Sequence, residues 1–374
     1  MSGVLDGIRV IDTTRWAPGR WATSLLADYG ADVISIIEPG MSERLNRPRP
    51  PMTGRNRRSI LLNLKAPGAL DVFHRLVRSA NAMLESYRPG VASRLGVDYG
   101  AVRAINRGIV YCSLSSFGQD GPYRDLAAHA VNVDGIAGAV PLDHEGKPMM
   151  PQSLYSDQHA SFNSAAGLLM GLLHQARTGE GQYFEVAFTD SGLAFPPAGR
   201  GPQGDLQGQY PGYNIYECAD GEYVALGILE PWFWERICLL FGRDDLAPEI
   251  HPKGEALDEA TRFFRTTFLT KTRAEWFETL READLPIGPV YRTTAELAAD
   301  PHHRARGMVI EGTDQDGKPR FERAAPIRFG GGVAPVRWGE SAEGAHTREV
   351  LLECGYSQDE LVAMAEQGIT RLDS

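Results

Sequence analysis

Between residues 8 and 188 the chain alternates short β-branched runs with helical apolar patterns, and that alternation leaves few architectures open. Ile8–Thr13 predicts a strand, Trp21–Tyr29 a helix that stops at Gly30, and Ala31–Ile37 a second strand. Ser59–Leu64 reads as a third strand, and Leu70–Val77 repeats a helical pattern behind Pro67-Gly68. Ala82–Leu84, Ile109–Ser113 and Tyr183–Phe188 follow as further strands. Strands that alternate with helices build βαβ units, and these make a largely parallel sheet in an α/β fold. Ala160–Gln175 is apolar on nearly every side, which predicts a buried helix. Its small residues Ala165, Ala166, Gly167 and Gly171 would let another backbone come close.

The pattern changes at 191–213, where Pro196-Pro197, Gly199, Gly201-Pro202, Gly204 and Gly208 crowd together as linker chemistry. A second unit starts near Asn214, with a strand at Tyr223–Ile228 and helices from Pro231, near Asp258–Leu269 and at Ala274–Ala283. Pro286, Gly288 and Pro289 break that pattern. From about Pro326 the chain returns to loop, Gly330-Gly331-Gly332 and a last helix around Ser357–Glu366.

Composition excludes several function classes. The net charge of −10 argues against generic nucleic-acid binding. Residues 1–110 nevertheless carry 16 Lys and Arg against 9 Asp and Glu, and the remainder is strongly acidic, so the N-terminal part suits a small anionic ligand. The four cysteines, Cys112, Cys218, Cys238 and Cys354, are too scattered for a zinc site or a disulfide scaffold. No apolar run approaches the roughly 20 residues of a membrane span, and the first residues carry no signal-like core, so a cytoplasmic protein is expected. No G-x-G-x-x-G follows a strand and opens a helix, no phosphate loop, G-x-S-x-G elbow or H-E-x-x-H occurs, and His302-His303 lies in a polar, turn-like segment, so no metal is expected. A doubly wound sheet is expected without nicotinamide or nucleotide-triphosphate chemistry.

What remains is His129 and Asp157, one base and one carboxylate, 28 positions apart. Alone, a histidine in an Ala/Val-rich segment reads as a core residue, and an aspartate ahead of a helix as its N-cap. Several segments in order change that reading. Leu5-Asp6-Gly7-Ile8-Arg9-Val10 with Leu25–Ile34, Asn56–Ile60, Tyr87-Arg88-Pro89-Gly90-Val91, Arg94-Leu95-Gly96, Phe117–Pro122 and Gly179–Gln182 resemble the family III CoA-transferases and their racemase relatives. The resemblance spans most of the chain. It implies a Rossmann-like large domain from residues 1–190 and 326–374, a smaller α+β domain at 214–325, and an interlocked homodimer.

Within that family the chain looks most like the 2-methylacyl-CoA racemases. His129 and Asp157 match their catalytic pair, and Leu226–Pro231 resembles the segment that carries an active-site glutamate, here Glu230. The resemblance implies an acyl-CoA substrate with no further cofactor, and Arg57, Arg58, Arg88 and Arg94 as candidates near CoA phosphates or adenine. Arginine suits phosphate because its planar fork grips two oxygens. The residue types fit the chemistry. A thioester acidifies its α-hydrogen, and inversion needs a base on one face and an acid on the other. Imidazole serves either way near neutral pH, whereas an aspartate needs a dry site to hold a proton usefully.

Three departures keep alternatives open. Ala130 follows the histidine where the racemases usually carry aspartate. Gln158-His159-Ala160-Ser161 replaces a glycine run and would narrow the space beside the acyl chain. Glu38-Pro39 looks more like the transferases. The expectation is therefore racemization through His129 and Asp157. The alternatives are CoA transfer with Asp157 as nucleophile, and an inactive acyl-CoA-binding protein.

Overall fold

A computed structural model describes residues 3–41, 54–143, 145–194, 208, 210–313, 319–330, 332–337, 339 and 341–372. The chain divides into two compact units, residues 1–196 with 322–374, and residues 197–321.

The first unit is built on six parallel strands: β1 (Arg9–Asp12), β2 (Asp32–Ile37), β3 (Arg57–Leu61), β4 (Ala82–Glu85), β5 (Val110–Ser115) and β6 (Tyr183–Ala187), in the order β3-β2-β1-β4-β5-β6. Its helices are α1 (Ala17–Asp28), α2 (Ala69–Arg78), α3 (Val91–Arg94), α4 (Tyr99–Ile105), α5 (Ala130–Ala137), α6 (Tyr155–Thr178) and α7 (Phe188–Ala194). Alternate strand residues face opposite layers, as the pleat requires. Ile11, Ile34, Met83 and Tyr111 pack with Val72, Phe73 and Leu76 of α2 on one face. Val10, Val33, Leu84 and Cys112 pack with Leu26 of α1 and with Ala165 and Leu168 of α6 on the other. Both faces are covered, which explains why the strands read as continuous apolar runs.

Three local expectations are corrected. Strand β3 begins at Arg57, ahead of the apolar run at Ser59, because partners elsewhere neutralise Arg57 and Arg58 and let both be buried. Phe188 opens a helix instead of ending a strand, so regular structure continues past residue 190; of the expected linker, 195–207 and 209 lie outside the described residues. Helix α6 is not buried all round. A sheet covers only one side of a helix, and Phe162 (65% exposed) and Met170 (70%) sit on the other. On the covered side, a Cβ at Gly167 would overlap the Phe184 ring and one at Gly171 would overlap Val110, so these glycines admit side chains rather than a backbone.

The tail closes the β3 edge of the sheet. Ser59 donates its N–H to His346 Nδ1 (3.1 Å) and accepts from the His346 N–H (3.0 Å). The Leu61 N–H goes to Thr347 Oγ1 (3.0 Å), and the Leu61 carbonyl accepts from Thr370.

The second unit holds an antiparallel sheet of β7 (Tyr213–Glu217), β8 (Tyr223–Gly227) and β9 (Ile287–Val290), with helices α8 (Pro231–Leu240), α9 (Glu255–Phe268), α10 (Arg273–Glu282), α11 (Thr294–Ala299) and α12 (Pro301–Ala305). Its core is aromatic: Tyr216, Trp234, Phe264, Phe268 and Trp276. The stretch after Pro286 forms strand β9, which among the described residues pairs with β8 alone; an edge strand tolerates a residue that cannot donate, here Pro289. His302 and His303 lie on α12, not in a turn. Two further strands, β10 (Val309–Thr313) and β11 (Pro319–Arg323), pair with each other, and α13 (Thr347–Glu353) and α14 (Gln358–Glu366) complete the tail of the first unit. Among the described residues no helix is long and apolar enough to cross a membrane.

Candidate active site

Strands β1 and β4 are neighbours whose onward connections run to opposite sides of the sheet, and ligands bind at the carboxyl ends of strands at such a switch point. A cavity of about 900 Å³ opens there in the first unit. Thr13–Arg20 after β1, Ser86–Pro89 after β4, Ile36–Glu38 at the end of β2, Leu62–Lys65 after β3 and Leu114–Ser116 at the end of β5 form its walls. Leu126, Ala128–Val131, Leu154, Asp157 and Phe188 close it.

Two residues singled out from the sequence, His129 and Asp157, both line this cavity. His129 is the N-cap of α5, in extended conformation, and Asn132 Oδ1 accepts its backbone N–H (2.8 Å), as a capping box requires. The imidazole is exposed and lies edge-to-face with Trp16, ring centroids 5.9 Å apart. It is therefore a cavity residue rather than a core histidine.

Asp157 is the third residue of α6, whose N-cap is Leu154, so it does not cap the helix. The residue is 8% exposed, and its buried Oδ1 finds no hydrogen-bond partner among the described residues. A helix N-terminus favours an anion, but burial, with the Asp134 charge adding to it, outweighs that and pushes Asp157 up to about 6. Such a carboxyl exchanges a proton readily near neutral pH.

The four candidate arginines separate. Arg57 is buried on β3, donating to Asp12 and, at 3.3 Å each, to the Arg20 carbonyl and Ser24 Oγ. Arg58 is spread over Asp32 (2.6 Å), Glu349 (3.0 Å) and Glu353 (2.6 Å). Neither lines the cavity, and both guanidiniums bind parts of the fold together. Arg94 is exposed on α3, outside the wall, whereas Arg88 lines the cavity. Arg15, Lys65 and Arg124 join Arg88 there, and Glu38 accepts from both Arg15 and Lys65 at 3.0 Å. The positive excess of residues 1–110 was the signal for Arg15, Lys65 and Arg88, although it did not say which cations they were; Arg124 lies beyond it. Glu230 is the N-cap of α8, ahead of Pro231, and belongs to the second unit.

Sequence reasoning missed Asp134. It lies in α5, fully buried, and accepts the Ser156 N–H at 2.9 Å. Nothing in its neighbourhood marks it as different from a helix-surface aspartate.

The fold and cavity define an α/β protein with a cavity at the strand ends of a doubly wound sheet. The sequence profile of CoA-transferase family III matches residues 5–347, and the chain belongs to that family. It is 31% identical to alpha-methylacyl-CoA racemase of Homo sapiens over 96% of this chain and 95% of that protein. It is 28% identical to succinate–glutarate CoA-transferase of Agrobacterium fabrum over 93% of this chain and 95% of that one. A CAIB/BAIF family protein from Brucella suis shares the fold, with a TM-score of 0.79 and 24% identity over 95% of this chain and all of that one.

Proposed function

We propose that the protein acts on acyl-CoA thioesters and inverts the α-carbon of a 2-methylacyl-CoA by proton removal and return. The observation that carries this reading is the pairing of an exposed imidazole, His129, with a buried carboxyl raised to about 6, Asp157, in one cavity wall. Removal of the α-proton by one group breaks the C–H bond and leaves its electron pair in the thioester enolate. The other group delivers a proton to the opposite face. First-turn N–H groups have no intrahelical acceptor, and those of α5 at Ala130 and Val131 lie in the wall, where they suit an enolate oxygen. Arg15, Lys65, Arg88 and Arg124 supply charge for the CoA phosphates. The chemistry needs no metal, flavin or nicotinamide. A second copy of the chain is the natural cover for the exposed apolar face of α6.

The experiment is incubation of single-enantiomer 2-methylacyl-CoA in deuterium oxide, with the α-hydrogen followed by NMR. Wash-out with inversion is expected, reduced at least 100-fold in His129→Ala and in Asp157→Ala.

One observation favours CoA transfer instead. Glu38 of the transferase-like Glu38-Pro39 pair holds Arg15 and Lys65 in the wall, and an ionised Asp157 could attack the thioester carbonyl, breaking the C–S bond to release CoA thiolate and leave an acyl-enzyme anhydride; CoA thiolate then attacks the new acyl group. That reading expects no α-exchange, and a new CoA thioester when a free carboxylic acid is added.

A further inference from the structure

The His129 imidazole is exposed, and an exposed side chain changes rotamer freely unless something holds it. A histidine that moves protons is commonly oriented by a carboxylate on its other ring nitrogen. This chain supplies none at that point. The residue after His129 is Ala130, and among the described residues no carboxylate pairs with the imidazole.

What meets the imidazole is Trp16. The ring centroids lie 5.9 Å apart and the planes stand at 80°, the edge-to-face arrangement that aromatic rings prefer. Both residues line the cavity, and Trp16 is 44% exposed there. An orienting ring must itself be fixed, and the backbone on both sides of Trp16 is. Ahead of it, the Thr13 N–H goes to the Leu84 carbonyl (3.0 Å), the Thr14 N–H to Asp12 Oδ1 (2.7 Å) and the Arg15 N–H to Ser86 Oγ (3.4 Å), which ties the segment to β1 and to the end of β4. Behind it α1 begins. Trp16 is its N-cap, in extended conformation, and its carbonyl accepts the Arg20 N–H at 3.4 Å. The His129 backbone is held separately, by Asn132 in the first turn of α5. Two independently anchored segments thus bring the rings together.

We infer that Trp16 is a positioning residue for the proposed proton transfer: its indole, edge-to-face with the imidazole, keeps His129 in the rotamer that faces the cavity. The inference rests on His129 acting as an acid/base group. A ring contact differs from a carboxylate in one respect, since it orients the base without placing a fixed negative charge beside it. Asp157 already brings a carboxyl to the same cavity. Without the indole other rotamers compete, and the fraction of His129 ready to react falls by about 3- to 10-fold, the weight of one aromatic pair.

The test uses two variants of the whole protein. Trp16→Leu removes the ring and keeps an apolar wall, and Trp16→Phe keeps a ring. Histidine labelled with 13C and 15N is followed by NMR, with the His129 signals assigned by their absence in His129→Gln, and kcat and KM for α-hydrogen exchange of a 2-methylacyl-CoA are measured alongside. In the parent the His129 ring protons should be displaced by the indole ring current, and its three-bond couplings should report a single χ1 rotamer. In Trp16→Leu the couplings should average over several rotamers and kcat should fall about 3- to 10-fold, with KM changed by less than about twofold. Trp16→Phe should recover most of both. A His129 that keeps its single rotamer in Trp16→Leu overturns the inference. So does a KM that rises while kcat holds, which would make the indole a wall for the acyl group, and so do equal losses of kcat in the Leu and Phe variants. The NMR arm does not depend on turnover. Rotamer averaging in Trp16→Leu with no α-exchange in the parent would therefore leave the orientation of His129 by Trp16 standing and remove the racemase reading.

Discussion

Arg57 offers the sharpest test of whether a residue suggested by resemblance serves the ligand or the fold. Its guanidinium is 3% exposed and pairs with Asp12, itself 1% exposed, which also accepts from the Thr14 N–H at 2.7 Å and the Thr23 hydroxyl at 2.7 Å. Arg57→Met fills similar space and removes the charge, leaving the Asp12 carboxylate buried with two neutral donors. Breaking a buried pair from one side costs about 3–5 kcal/mol. In a unit of roughly 250 residues each kcal/mol moves the melting temperature by about 2 °C, so the first unit should melt about 6–10 °C lower. The double variant Asp12→Leu/Arg57→Met should recover most of that loss, because no charge is then left unpaired. Arg107→Met, which removes an exposed partner of Glu180, should cost less than about 1 kcal/mol and serves as the control. Calorimetry reads the stability and steady-state kinetics read the affinity. A single variant that melts within 2 °C of the parent while KM for acyl-CoA rises tenfold would refute the structural assignment and make Arg57 a ligand contact.

Three further outcomes are expected. The Asp157 carboxyl titrates higher in the folded than in the unfolded chain, so its stabilising contribution is complete below its ordinary value of 3.8 and is lost as pH rises through about 6. Asp157→Asn should therefore melt higher than the parent at pH 8, by about 1–3 kcal/mol after allowing for the open cavity, with the gain gone at pH 4 in a thermal melt series. Arg88→Ala should raise KM for an acyl-CoA about tenfold and leave kcat nearly unchanged, since a phosphate contact holds substrate and transition state alike. Gly167→Ala should cost about 1–3 kcal/mol in chemical denaturation, because its Cβ overlaps the Phe184 ring.

Much of the sheet was legible because strands covered on both faces announce themselves as apolar runs. Val10-Ile11, Val33–Ile37 and Val110–Leu114 needed no context. The misreadings share a cause, which is compensation from far along the chain. Arg57 and Arg58 look unfit for a central layer until Asp12, Asp32 and the tail glutamates Glu349 and Glu353 arrive beside them. Helix α6 looked buried on every side because periodicity counts apolar residues without knowing how much surface a sheet can cover. At the site, His129 and Asp157 emerged from resemblance, and their spacing alone would have supported a core histidine and a helix cap. Asp134 could not be found, since only the packing of α5 against α6 brings its carboxylate to the Ser156 N–H.

The covering of β3 by the tail has a consequence for how the molecule is made. Ser59 and His346, which exchange hydrogen bonds in the finished fold, are 287 positions apart. At a synthesis rate of about 5–20 residues per second, the ribosome needs about 15–60 s to deliver the second after the first. For that interval the nascent sheet presents a row of unsatisfied N–H and C=O groups that another emerging chain could pair with. Production in the cell should therefore depend on elongation rate and on chaperone supply, even where the completed protein is stable.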